Sequence, residues 1–319
     1  MGITDKIINV DLFKQKTEGG RIGWDTGCFV GRPFYLNYTA AHILVADAWK
    51  KEADGIPQSC FLLAYYDGEK NDKSSREAIL LRVLRPVTLP TDRDVVSSMI
   101  EYYKDDIQTG SASHSQLDSY TRYNFSFSGL ECSVLGCFYN DENENINFGA
   151  DLENFYSAHN YSIIKPSSDI LKYIVNYKEE GKPGSHGDIK IGRVRYSSSQ
   201  RFQGADQPVP VFVQSSDFAG KRTALFGMTR TGKSNTVKKI IQACVEMSDN
   251  AQFTLDKDQE SPEETLKPFS ENGVPKYPVG QIIFDINGEY ANPNLQDQGT
   301  AIFDLYQSKT VRYSTLQKP

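Results

Sequence analysis

No run of about 18 apolar residues, the least that would span a membrane as a helix, occurs anywhere in the 319-residue sequence. The opening residues Met1 to Lys6 have no apolar core of the kind a secretory leader needs, and Lys6 stands where a myristoylation pattern requires Ser or Thr. Membrane anchoring and secretion are therefore argued against, and the glycosylation triplets at Asn37, Asn124 and Asn160 read as chance matches. Histidine is scarce: His42, His114, His159 and His186 are scattered and form no metal-ligand pair. The five cysteines, Cys28, Cys60, Cys132, Cys137 and Cys244, are odd in number and lack C-x-x-C spacing, which fits reduced thiols in the cytoplasm and excludes a disulfide framework or zinc knuckle. Basic excess is lacking too. A net charge of −6 argues against a globally basic nucleic-acid coat, although positive charge confined to a channel would suffice for a DNA motor. What is present, 39% hydrophobic and 12% aromatic residues over a length that suits two domains, supports packed cores rather than disorder.

The segment from Gly227 through Met228, Thr229, Arg230, Thr231, Gly232 and Lys233 to Ser234 fits G-x-x-x-x-G-K-[ST]. Its flanks suit the pattern. Thr223 to Phe226 reads as a short buried strand, and Val237, Ile240, Ile241, Cys244 and Val245 recur at the spacing of one helix face. Glycine at 227 and 232 lets successive N–H groups curl around phosphate oxygens at the positive end of that helix. Lys233 would then reach the β- and γ-phosphates of ATP, and the Ser234 hydroxyl could ligate Mg²⁺.

A second acidic segment follows the helix. Val279 to Phe284 is an apolar run ending in Asp285, followed by Asn287, Gly288, Glu289 and Tyr290. A carboxylate at a strand end is where a P-loop fold handles magnesium and water, whereas Asp285 and Asn287 could equally begin a glycine turn at Gly288. Residues Phe226 to Asn235 taken with Phe284 to Asn292 resemble the HerA branch of the HerA/FtsK ATPases, whose nucleotide loop is typically followed by Asn and whose next strand ends in Asp-x-x-Gly-Glu-Tyr. The resemblance implies a homo-hexameric ring that translocates on double-stranded DNA, with an N-terminal β-barrel ahead of a RecA-like core. Lys233 and Ser234 would serve phosphate and metal, Asn235 would extend the nucleotide loop, and Asp285 and Glu289 would form the acidic segment near the γ-phosphate, with Asp285 either on the metal or on a neighbouring strand without touching it. Arg230 departs from the family, which commonly has glycine there; its side chain either points away or adds positive charge beside the phosphates.

A RecA-like core of this family needs further βα units for its Walker B strand, sensor and arginine finger, and no second hydrophobic run ending in Asp-Glu follows Asn292. The sequence is accordingly read as the N-terminal part of a longer polypeptide, with a truncated core that does not turn over ATP by itself.

Ahead of the loop the chain reads as mainly antiparallel β structure with helical insertions. Gly27–Leu36, Cys60–Tyr66, Glu77–Leu84, Phe125–Tyr139 and Ile189–Tyr196 are β-branched or aromatic runs bounded by turn residues and suggest a small barrel. Helices are expected at Asp92–Asp105 and Ser168–Lys178. The polar, proline-bearing stretch from Ser197 to Pro210 places a boundary near residue 200, giving a barrel domain over 1–200 and the first part of an ATPase domain over 201–319. Ser248 to Pro278, rich in acids and prolines, reads as a solvated excursion or, more sharply, a partner-docking segment.

The function expected is an ATP-hydrolysing, cytoplasmic DNA motor that works with an effector protein docked on the barrel. Family members pair with the nuclease NurA, and some bacterial relatives form antiviral assemblies with nuclease or sirtuin-like effectors. The alternative is a nucleotide-fixed ring scaffold that organises a separate enzyme without translocating. An unrelated small-molecule kinase is disfavoured because no lid signature follows the loop.

Overall fold

The computed structural model describes residues 15–18, 21–24, 27–66, 77–109, 122–123, 125–140, 146–178, 188–196, 208–214, 217–218, 222–228, 232–249, 251, 278–286, 288–292 and 301–313. The chain divides into two compact units, one of residues 1–175 and 194–209 and one of residues 176–193 and 210–319.

The first unit begins with a hairpin of β1 (Gln15–Glu18) and β2 (Arg21–Trp24). It continues with β3 (Gly27–Leu36), β4 (Ala40–Ala46), β5 (Phe61–Tyr66), β6 (Glu77–Val87), β7 (Phe127–Asn140), β8 (Ile146–Gly149) and β9 (Tyr161–Pro166). The hydrogen-bonded order β4-β3-β9-β5-β6-β7 returns on itself, because β7 pairs antiparallel with β4 as well. The result is a closed six-stranded antiparallel barrel, with β8 added along β7. Closure removes the exposed edges that an open sheet of this size would present. Bulges between Phe29 and Gly31, Pro33 and Tyr35, Leu80 and Leu81, and Val83 and Arg85 sharpen the bend that closure requires.

The strands follow from alternation. Ala41, Ile43 and Val45 of β4 are fully buried, whereas the intervening His42 and Leu44 are only partly so. Val30, Leu62, Ala64, Ile79, Leu81, Val83, Cys132 and Ile163 complete the interior with them. Burial pushes the thiols of Cys60, Cys132 and Cys137 up to about 12, so they behave as small apolar side chains. All five cysteines are free thiols.

Short helices connect the strands: α1 (Asp47–Glu52) after β4, α2 (Asp92–Thr109) after β6 and α3 (Ser168–Val175) after β9. Lys165 of β9 donates to the carbonyls of Ala53 (2.7 Å) and Gly55 (2.8 Å), satisfying the C-terminal end of α1.

Two readings of the sequence change. Strand β4 and strand β9, which close the barrel, were not anticipated. Ile189–Tyr196 was expected as a barrel strand, but β10 (Asp188–Arg193) pairs with β11 (Pro210–Gln214) in a separate two-stranded antiparallel sheet in the second unit. Asn176 holds that ribbon: its amide nitrogen donates to Pro210 O (2.8 Å) and its carbonyl oxygen accepts from Phe212 N (2.7 Å).

The barrel interior sets the stability of the first unit. Leu81→Ala removes a fully buried side chain at the β5–β6–β7 seam and should cost about 2–5 kcal/mol, read from the shift in urea midpoint at unchanged slope.

Candidate nucleotide site

The site lies in the second unit at the N-terminus of α4 (Lys233–Asp249). The helix starts where Gly232 takes φ of +90°, a conformation that costs a residue with a Cβ even though nothing lies within 4 Å of the place that atom would occupy. Thr236 N donates to Gly232 O at 2.9 Å, the first bond of the helix. Inward, α4 buries Lys238, Ile241, Cys244 and Met247, a stripe one residue away from the expected Val237 and Ile240 and carrying the aliphatic stem of a lysine.

Lys233 folds back over its own loop. Its ammonium donates to the carbonyls of Gly227 (2.6 Å) and Met228 (2.7 Å), so the loop and the cation that would hold phosphate are already one hydrogen-bonded unit. Ser234 Oγ donates to Glu289 Oε2 at 2.6 Å and brings the acidic segment to the start of the helix. The expected residues Thr229, Arg230 and Thr231 lie outside the described residues, as does Asn287; Asn235 occupies the first turn of α4 with its side chain exposed.

Asp285 folds the segment that carries Glu289. Its Oδ1 accepts from Glu289 N (2.9 Å), and its Oδ2 accepts from Tyr290 N (2.9 Å) and Ala291 N (3.0 Å). Gly288 turns the chain at φ of +75°, where a Cβ would meet Asn292 Nδ2 at 2.8 Å. Desolvation alone would raise the Asp285 carboxyl, but the amides of Tyr290, Ala291, Glu289 and Gly288 together hold it below the usual carboxylate range. The glycine-turn reading of Asp285 thus describes its geometry.

The two apolar runs beside the site depart from expectation. Thr223–Phe226 was read as a buried strand and Val279–Phe284 as another, yet neither forms a strand among the described residues. Phe226 is 94% and Phe284 87% exposed. The reason is that a central strand is buried by its neighbours on both edges and by helices on both faces, and the ribbon β10–β11 is the only sheet described in this unit. The RecA-like core expected from the sequence is therefore not formed by the described residues. Val279 N does bond Ser248 Oγ (2.8 Å) and Gln281 Nε2 bonds Ile241 O (3.3 Å), so the second run lies along α4. A last short helix, α5 (Ile302–Leu305), buries Ala301 and Ile302, and Lys309 pairs with Asp249 at the far end of α4.

Hard oxygen donors are what Mg²⁺ takes, and the Ser234 hydroxyl with the Glu289 carboxylate supplies two of them. Among the described residues no cluster of three or more His, Cys, Asp or Glu could hold a metal ion. The donor set thus fits a magnesium ion carried by a nucleotide's phosphates and water rather than one caged by protein.

A glycine loop, a lysine and a hydroxyl residue at a helix N-terminus, with a carboxylate brought to that hydroxyl, have the form of a P-loop nucleotide site. Residues 189–256 match the family model described as the central domain of the helicase HerA. The match runs from β10 through β11, the glycine loop and all of α4, and stops before Asp285 and Glu289. This segment is a HerA-type ATPase segment by similarity, which implies nucleotide binding at the level of the family. No curated protein matches the chain. Among the described residues no helix is long and apolar enough to cross a membrane.

A carboxyl held low in the folded chain contributes stability that is present above its unfolded value and lost as pH falls through its folded value. Carbonyl NMR of Asp285 should therefore give a titration midpoint below the ordinary aspartate value. Gly288→Ala, which strains the turn that delivers the amides, should move the midpoint back up.

Proposed function

We propose that the chain is the barrel and nucleotide-loop portion of an ATP-hydrolysing DNA motor. It assembles as a homo-hexamer, passes double-stranded DNA through its channel, and carries an effector protein, a nuclease or sirtuin-like enzyme, on the barrel, in a cytoplasmic antiviral system. The observation that carries this reading is the meeting of Lys233, Ser234 and Glu289 at the start of α4, within and just after the segment similar to the HerA central domain.

Each residue has a task in that reading. Lys233 exchanges its two carbonyl partners for phosphate oxygens, which attract it more strongly because they are charged. The first-turn amides of α4 add the positive end of the helix dipole. Ser234 and Glu289 face the metal side, where Mg²⁺ offsets charge on the β- and γ-phosphates. Asp285 shapes the turn behind Glu289. The barrel has no phosphate-binding feature and offers a closed surface for assembly and partner docking, which accords with a division of labour between the two units.

Turnover of ATP by the assembled protein, with and without double-stranded DNA, tests the reading. Stimulation by DNA and a hexamer by mass photometry are the expected results; DNA-independent turnover would favour the ring scaffold, and a stable monomer with nucleotide present would end the ring. Lys233→Ala should lower turnover by about two to three orders of magnitude, since it removes the cation that offsets developing charge.

A further inference from the structure

Asp285 and Glu289 are both acids of one short segment, yet the structure gives them different work. Both oxygens of Asp285 are taken up by backbone amides of Glu289, Tyr290 and Ala291, whereas the oxygen of Glu289 is taken up by a side chain of the loop helix, Ser234 Oγ. Three N–H groups converging on one carboxylate fix the backbone of residues 289–291. The chain between them turns through Gly288, and Tyr290 O accepts from Ile302 N at 3.0 Å, so the far side of the turn is pinned as well. An Asp at 285 that left this post to bind a metal would release three amides and let Glu289 drift from Ser234.

We propose that Asp285 is a positioning residue, not a metal ligand: its carboxylate folds the 285–291 turn, and the turn holds Glu289 against Ser234, so that Glu289 is the acid that meets the magnesium of a bound nucleotide. This rests on the nucleotide reading given above. An outer residue that orients a ligand acts through that ligand, so its loss and the ligand's loss are not independent.

Calorimetric titration of the 319-residue chain with ATP plus Mg²⁺, and with ATP plus EDTA, tests the assignment in Asp285→Asn, Glu289→Gln and the double variant. Each single variant should weaken binding in magnesium by about tenfold, the scale of an outer-residue loss, and leave binding in EDTA unchanged. The double variant should be no weaker than Glu289→Gln alone. A double variant weaker by about a hundredfold, the product of the two losses, would make Asp285 an independent ligand and overturn the role; so would an Asp285→Asn variant that binds as wild type in magnesium or loses as much in EDTA. Amide exchange supplies a readout free of nucleotide. The amides of Glu289, Tyr290 and Ala291 should lose protection in Asp285→Asn and keep it in Glu289→Gln, and equal exchange in wild type and Asp285→Asn would likewise refute the role. A wild-type chain that fails to bind ATP at all would instead end the nucleotide reading, and this role with it.

Discussion

The pairing of Ala40–Ala46 with Phe127–Ser133 is the contact on which the first unit depends. Without it, β4 and β7 would be the two long edges of a six-stranded sheet, each offering unpaired amides to any neighbouring chain. With it, the sheet has an inside. Ile43, Leu62, Leu81 and Ile163 can then be excluded from water altogether, and the buried thiols of Cys60 and Cys132 become unreactive filling rather than redox groups. The insertions are also governed by closure. Helix α1 leaves directly from the end of β4, and Lys165 reaches from β9 to satisfy its last carbonyls, so the helix is tied to a strand two positions away around the ring.

The second unit has the opposite character. Its fixed part is a chain of polar bonds, from the loop carbonyls to Lys233, from Ser234 to Glu289, and from the amides of the next turn to Asp285. Its apolar runs are uncovered: Ile282, Phe284 and Ile286 are 86%, 87% and 97% exposed. Burial cannot be what holds Glu289 near the helix, because little is buried there; hydrogen bonds to charged groups, worth roughly twice their neutral counterparts, are the interaction left to do it.

Legibility in the sequence followed the range of the interaction. The glycine loop, the helix after it and the acidic turn depend on residues within a few positions of each other, and each was found from spacing. Strands β3, β5, β6 and β7 were legible as β-branched and aromatic runs. Strand β4 was not, because Ala40-Ala-His-Ile-Leu-Val-Ala46 has three alanines and no turn residue separating it from α1, and what makes it a strand is pairing with β3 and with β7, some ninety positions away by register. Ile189–Tyr196 shows the complementary failure: the residues are strand-like, and they form a strand, but nothing local says which partner they take. The expected burial of Thr223–Phe226 and Val279–Phe284 failed for the same physical reason, since an apolar strand is buried only by elements that its own residues do not specify.

Within the acidic segment the two carboxylates look alike in sequence, and their separation by three residues determines their division of labour. An acid placed at the start of a turn has its side chain within reach of the amides that the turn exposes two to six residues later, and it will be neutralised by them before any distant group competes. An acid placed after the glycine is carried around the bend and faces away from those amides, toward whatever lies across the turn. Here that is the hydroxyl of Ser234, next to Lys233. The side chain that lies nearer the loop in space is thus the one that lies farther along the chain, and the earlier acid reaches the site only through it.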